Sequence, residues 1–224
     1  IIRSMPRSPH KELDSLTLSS ELTLISIIQG VALYFLVENA RSPLVELQFR
    51  IWPYIFTGLV MLILFFSRTM IHALTVIRWP VEFGHNFLYI AATLLEAVAF
   101  TQIGKPASWF FCNAGLSLMV WLLFLCDLKL VRGSSNATPA GLELEERVHR
   151  EQMQNIRMLM PMTLAFNALA GLAILHWPDI FVGKGGDIYL VLSQLIAASI
   201  YLAHSLRFYR NIVPLLTQDR SENF

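Results

Sequence analysis

The residues of this chain best suited to chemistry are one acid and several amides set inside apolar stretches. Glu96 lies near the middle of "NFLYIAATLLEAVAFTQIG", residues Asn86 to Gly104. At that depth in a bilayer a charged residue costs about 2.5 to 3.5 kcal/mol on insertion scales, and such residues face a bundle interior or a watered cavity. On a helix Glu96 shares a face with Tyr89, Ala92 and Thr93. Packed among apolar neighbours with Tyr or Asn, it is expected to be protonated and structural. Beside a cation it stays charged and suits cation passage or a proton relay, and a residue of another subunit is a further candidate partner.

The amides recur in the other apolar stretches. Ser26 and Gly30 share a face with Gln29 beside them, Asn113 pairs with Ser117, Thr163 with Asn167 and Gly171, and Gln194 with Ala197, Ala198 and Tyr201. Such faces are poorly suited to lipid and are expected to face one another. Ordinary interhelical hydrogen bonding accounts for them; so does a polar path lined by Gln29, Asn113, Asn167 and Gln194 together with Glu96. His72, His85 and His204 are expected at similar depth, where imidazoles from different helices can ligate a haem or a metal, or titrate as a switch. No spacing joins them, so the cofactor is left open. The chain has no H-E-x-x-H, paired-Cys, G-x-S-x-G or phosphate-loop motif, and "GKGGD" at Gly183 to Asp187 lacks the Ser or Thr of a Walker sequence. A conventional enzyme site is therefore not expected.

The elements that must position these residues are membrane helices. The chain has 224 residues, 55% hydrophobic and 15% charged, with a mean hydropathy of +0.54, and its apolar residues fall in long blocks. A net charge of +1 offers no basic field for nucleic acid. Against the roughly 20 apolar residues needed to cross the hydrocarbon, six spans are expected. They run from Leu22 to Val37, Ile51 to Ser67 with an extension to Ile77, Phe87 to Ile103, Trp109 to Leu125, Met158 to Leu175, and Ile188 to Leu206. The fold expected is all-α, a polytopic helical bundle. Cys112 and Cys126 lie about four turns apart on one helix and cannot pair.

Charge sets the expected orientation. Only Arg41, Arg50, Lys105 and Lys184 fall on one side of the six spans, and the other 13 of the 17 Lys and Arg residues fall on the side that holds both termini. The positive-inside bias places both termini in the cytoplasm, with a bacterial inner membrane or an organellar membrane as host. The polar start "IIRSMPRSPHKELDSLTLSSE" has no apolar core of a signal peptide. The organisation expected is an N-terminal cytoplasmic segment at 1–21, four spans within 22–128, a linker and charged helix at 129–157, two spans within 158–207, and a tail at 208–224. In the charged helix Glu146 and Arg150 stand at i,i+4, Pro161 bends its junction with the fifth span, and the simplest expectation is a solvated surface. Arg68, after a long apolar run, is expected to snorkel to the interface rather than to neutralise Glu96.

The first span, "IIQGVALYFLVENA", with Gly30 and Val31, and "IFTGLVMLILFF" in the second resemble the six-helix organellar and prokaryotic potassium channels that lack a conventional selectivity loop. The Arg and the Phe-Ser-Asp triplet that precede the Gly-Val pair in those channels are replaced here by residues of "TLISIIQ". The resemblance implies a homo-oligomeric cation pore lined by the first span. Three function classes stand open: a cation channel or transporter, a non-catalytic subunit of a hetero-oligomeric membrane complex, and a haem- or pigment-bearing redox subunit. If charge asymmetry orients the chain, inserting several Lys residues around Pro106 produces inverted or mixed topology by cysteine accessibility; an unchanged orientation removes the charge argument.

Overall fold

The computed structural model describes the backbone at residues 9–75, 83–131 and 139–222, and side chains within 22–70, 84–128 and 139–218. All described elements are helical: α1 (Pro9–Val45), α2 (Trp52–Thr75), α3 (Phe83–Phe100), α4 (Pro106–Val131), α5 (Pro139–Gln154), α6 (Met160–His176) and α7 (Gly186–Glu222). Single π turns at Asn155–Leu159 and Asp179–Gly183 precede α6 and α7. Among the described residues five segments are long and apolar enough to cross a membrane: Leu22–Val45, Trp52–Met70, Pro106–Leu128, part of the continuous helix Pro139–His176, and part of Gly186–Gln218. This is the bundle of a membrane-embedded protein.

The third of the six expected spans is a helix, α3, but it stops at Phe100 after 18 residues and is not one of the five. His85, Asn86 and Glu96 interrupt its apolar run. Each helix packs on its neighbours in a circuit that does not follow the chain order: α6 on α4, α4 on α3, α3 on α1, α1 on α2, and α2 on α7. One end of the bundle carries α5; at the opposite end lie the connections 46–51, 101–105 and 177–185. That opposite half is filled by Leu36, Tyr54, Phe100, Trp109, Phe110, Ile174 and Val191 in one apolar cluster. Gly104 and Gly185 take positive φ angles there, at 80° and 76°, a backbone shape that L side chains avoid.

Local sequence accounts for the two departures from plain helix. Pro161 lacks an N–H, and its ring crowds the carbonyl of Arg157. The helix widens just before it, so that the Met160 N–H bonds to Asn155 O in the five-residue spacing of a π turn. At the end of α1, Leu47 sits at φ 54° while Gln48 N–H bonds to Pro43 O and Leu47 N–H to Leu44 O. That pair of bonds is a Schellman ending, made here without the usual glycine.

The charged segment is not simply a solvated surface. Its ion pairs Arg147–Glu143 and Arg150–Glu146, both at 2.6 Å, lie on the exposed side. Leu144 on the other side is buried against Ile212, with Phe208, Leu215 and Leu216 of α7 around it. Gly58 shows how tight the opposite half is: a β-carbon added there would lie 3.0 Å from Leu36 and 3.1 Å from Phe100, both buried. At Gly115 the nearest atom, on Leu95, would lie 3.8 Å away. Gly58→Ala is therefore expected to destabilise the detergent-solubilised protein by about 1–3 kcal/mol through overpacking, while Gly115→Ala stabilises it by up to about 1 kcal/mol through helix propensity. Thermal unfolding of the two variants checks the pair, and equal melting temperatures would contradict the described packing.

Candidate functional site

Three polar clusters lie along the bundle, held by different sets of helices. At the end opposite α5, the Arg50 guanidinium donates to Val182 O at 2.6 Å and pairs with Asp187 Oδ1 at 3.1 Å. Tyr54 O–H donates to the other oxygen of Asp187 at 2.7 Å. Arg50 belongs to the α1–α2 connection and Asp187 to the first turn of α7, so this cluster fastens α2 and α7 together beside the second π turn. The Tyr54 ring stands edge-on to Trp109 with centroids 5.5 Å apart.

Trp109 begins a second chain of hydrogen bonds. Its indole N–H donates to Gln194 Oε1 at 2.9 Å, and the Gln194 amide N–H donates to Asn167 Oδ1 at 3.0 Å. All three side chains are buried, and the two bonds tie α4, α7 and α6 at one level. The amide expected on the sixth span thus meets the one expected on the fifth. Asn113 is buried as well, but its amide N–H turns back to Trp109 O at 2.8 Å. Ser26 and Gly30 depart from expectation. Both are exposed: Ser26 O–H bonds to Leu22 O of its own helix, and nothing lies within 4 Å of a β-carbon added at Gly30. A serine in a helix can satisfy its hydroxyl on the preceding turn, so it does not need to face inward.

The third cluster, at the α5 end, was not legible as a unit. The Arg68 guanidinium lies 3.7 Å from Glu151 Oε1, donates to Gln152 Oε1 at 3.5 Å, and lies over the rings of Phe124 and Tyr201 at 5.5 and 5.9 Å. Its side chain is 11% exposed, which corrects the expected snorkelling. A guanidinium matched by a carboxylate, an amide and two ring faces has no need to reach the interface. Gln152 donates onward to Phe124 O at 3.3 Å and to Asp127 Oδ2 at 3.4 Å. His85 Nδ1 lies 2.8 Å from Asp127 Oδ1, and His204 Nε2 lies 3.2 Å from Glu151 Oε1. Each of these two histidines thus faces its own carboxylate. His72 lies on α2 with its side chain outside the described residues. Among the described residues no group of three or more His, Cys, Asp or Glu is placed to hold a metal ion.

Glu96 stands between the two ends and is 0% exposed. Neither carboxyl oxygen has a partner of good hydrogen-bond geometry. The Gln29 side chain of α1 is the polar group beside it, and Tyr89 lies near both. One cavity of about 370 Å³ joins these features. Its wall includes Glu96, Asn167 and Gln194, and it reaches Arg68, His85, Asp127, Gln152 and Tyr201 at the α5 end. Gln29 and Asn113 are not part of the wall, so only Glu96, Asn167 and Gln194 of the expected path open on one space. Met162, Ser193 and Ala197 also line it and are exposed, so the cavity opens sideways between α6 and α7.

The residues that the sequence did not single out are Asp127, Glu151, Gln152, Tyr54 and Asp187, and only the fold shows Asp127, Glu151 and Asp187 turned inward; each is buried. Trp109, whose place at a span end suits an interfacial ring, is instead fully buried and hydrogen-bonded within the bundle. No family model, curated protein or solved structure matches the chain. The buried Arg68–Glu151 contact makes a sharp expectation, because removing one member leaves an uncompensated charge. Arg68→Met is expected to cost about 3–5 kcal/mol, and Arg68→Met combined with Glu151→Gln recovers more than half of that. Denaturation of both variants in detergent is the check, and a double variant no more stable than the single one removes the pairing.

Proposed function

We propose that the chain is a six-span membrane protein that moves cations through a polar path between its helices, with both termini on the cytoplasmic side of a bacterial inner or an organellar membrane. The observation that carries this reading is a single cavity that runs from the Asn167–Gln194 pair past Glu96 to the Arg68 and Asp127 cluster. A buried acid that opens on a cavity rather than on packed apolar side chains suits an ion pathway better than it suits helix packing.

The sixth span in this reading is α3. At 1.5 Å per residue its 18 residues give about 27 Å, close to the hydrocarbon thickness of about 30 Å. His85 near its start meets Asp127 late in α4, and Phe100 at its end lies beside Gly58 early in α2, so α3 runs the depth of the bundle. The excess of Lys and Arg on the side of the termini supports the orientation.

The path is closed at the end opposite α5. Tyr54, Phe100, Trp109 and Phe110 fill that half, and the Trp109–Gln194–Asn167 bonds bridge the helices around it. A cavity reaching one end and sealed at the other fits a transporter with alternating access more closely than a continuous open pore. In this reading movement breaks and re-forms the hydrogen bonds between α4, α6 and α7, and the moving boundary runs along α6 and α7.

A subunit role in a larger membrane complex draws on a different observation. Ser26 and Gly30 put a small-residue face on the outside of α1, where another helix can approach closely. Intact-complex mass in mild detergent distinguishes a hetero-oligomer from a homo-oligomer.

Flux of potassium, protons and a hydrophilic organic ammonium ion into liposomes under an imposed gradient tests the transport reading. Flux above that of protein-free liposomes, lowered at least tenfold in Glu96→Gln at unchanged yield and melting temperature, is the expected result. Flux indifferent to Glu96→Gln, or no flux at all, would sink it.

A further inference from the structure

The shape of the cavity points to a more specific ligand. We propose, resting on the transport reading, that the cavity takes an organic cation with an apolar body, such as an aromatic or alkyl ammonium or phosphonium ion, with Glu96 as its counter-charge.

Size is the first ground. A volume of about 370 Å³ falls within the range of sites for drug-sized molecules, roughly 300–1,000 Å³. A bare inorganic cation is coordinated by a few oxygens at close range and needs no such space. The walls are the second ground. Leu116, Val120, Leu123, Met160 and Phe166 give the cavity an aliphatic and aromatic lining, to which an apolar body adapts and hydrated ions do not. Phe65, Phe124 and Tyr201 add aromatic surface to the same lining.

Charge is the third ground. Three carboxyl groups lie in or against the cavity, on Glu96, Asp127 and Glu151, beside one permanent cation, Arg68. Glu151 answers Arg68 and also faces His204; Asp127 faces His85. Glu96 is the acid left over. It is fully buried, has the neutral Gln29 amide rather than a cation as its polar neighbour, and forms part of the cavity wall. The Tyr201 hydroxyl, buried beside Ser205, also belongs to a residue of the wall. A buried carboxyl group answered by a neutral amide is suited to a ligand that brings the missing positive charge. The sideways opening at Met162, Ser193 and Ala197 lets an apolar cation enter from the bilayer.

Tetraphenylphosphonium and tetraphenylborate form a suitable probe pair, because they share size and shape and differ in the sign of charge. Binding of each, radiolabelled, is measured on the full chain in nanodiscs, with empty nanodiscs subtracted. Two variants separate charge from space: Glu96→Gln removes the counter-charge, and Ala198→Phe fills the wall without altering any charge. Glu143→Gln, on the exposed side of α5, is the control. Saturable binding of the phosphonium alone, weakened at least tenfold by Glu96→Gln and by Ala198→Phe but not by Glu143→Gln, is the expected result. Equal binding of the two probes overturns the proposal, and so does phosphonium binding indifferent to Ala198→Phe or, in a folded variant, to Glu96→Gln. Saturable phosphonium binding without any cation flux in liposomes leaves the ligand class standing and removes the transport reading. Potassium flux without phosphonium binding removes the ligand class and leaves transport standing.

Discussion

A guanidinium keeps its charge at any accessible pH, so a bundle that takes one inside must build a place for it. Arg68 has that effect here. It projects from α2, yet its partners come from three other helices: Glu151 and Gln152 from α5, Phe124 from α4 and Tyr201 from α7. Glu151 and Gln152 tie α5 to Arg68, beside the apolar contact of Leu144 with Ile212, and Gln152 extends the network to Asp127 and so to His85 on α3. The π turn before Pro161 then appears as an adjustment: one wider turn lets a polar helix and an apolar one run on from each other while Glu151 and Gln152 still point at Arg68.

The two ends of the molecule solve the same problem in different ways. Opposite α5, Arg50 and Asp187 meet close to the surface, with Arg50 half exposed, and neutral donors from Tyr54, Trp109 and Gln194 carry the network inward. Aromatic and aliphatic side chains pack between them in one apolar cluster. At the α5 end the ionisable groups lie deeper and border a cavity. The bundle is therefore tight where its polar groups are mostly neutral and open where they are mostly ionisable, a gradient of packing along its axis with Glu96 between the two regimes.

Much of this was legible in the residues, and the gap is informative. Long apolar blocks give each helix its apolar stretch, but α1 begins at Pro9 and ends at Val45 and α7 runs on to Glu222, well past the expected Leu22–Val37 and Leu206. The apolar stretches are legible because length and hydropathy are local properties. Glu96 and the amide faces are visible for the same reason: a polar residue inside an apolar block stands out. Which faces meet is not local. Gln194 and Asn167 do meet, whereas Ser26 and Gly30, chosen by the same rule of small and polar spacing, face outward. Nothing in their spacing separates the two cases, since a serine hydroxyl can be satisfied by its own helix and an amide cannot be satisfied fully in that way. Arg68 is expected at the interface because it lies near a span end, and Asp127 and Glu151 do not stand out from the sequence at all; the inward turn of all three depends on partners distant in the chain. The amphipathic side of α5, by contrast, was available from Leu144 and Val148, four residues apart, but the surrounding charges obscured it.

The sideways opening between α6 and α7 changes what concentration means for this protein. A molecule that arrives from the bilayer meets the cavity at its concentration in lipid, which for an apolar solute exceeds that in water by the partition coefficient. Occupancy then follows solubility in the membrane as well as fit to the walls. Part of the selectivity of such a site belongs to the lipid, and the same protein placed in a thicker or more ordered bilayer would rank the same molecules differently without any change in its own side chains.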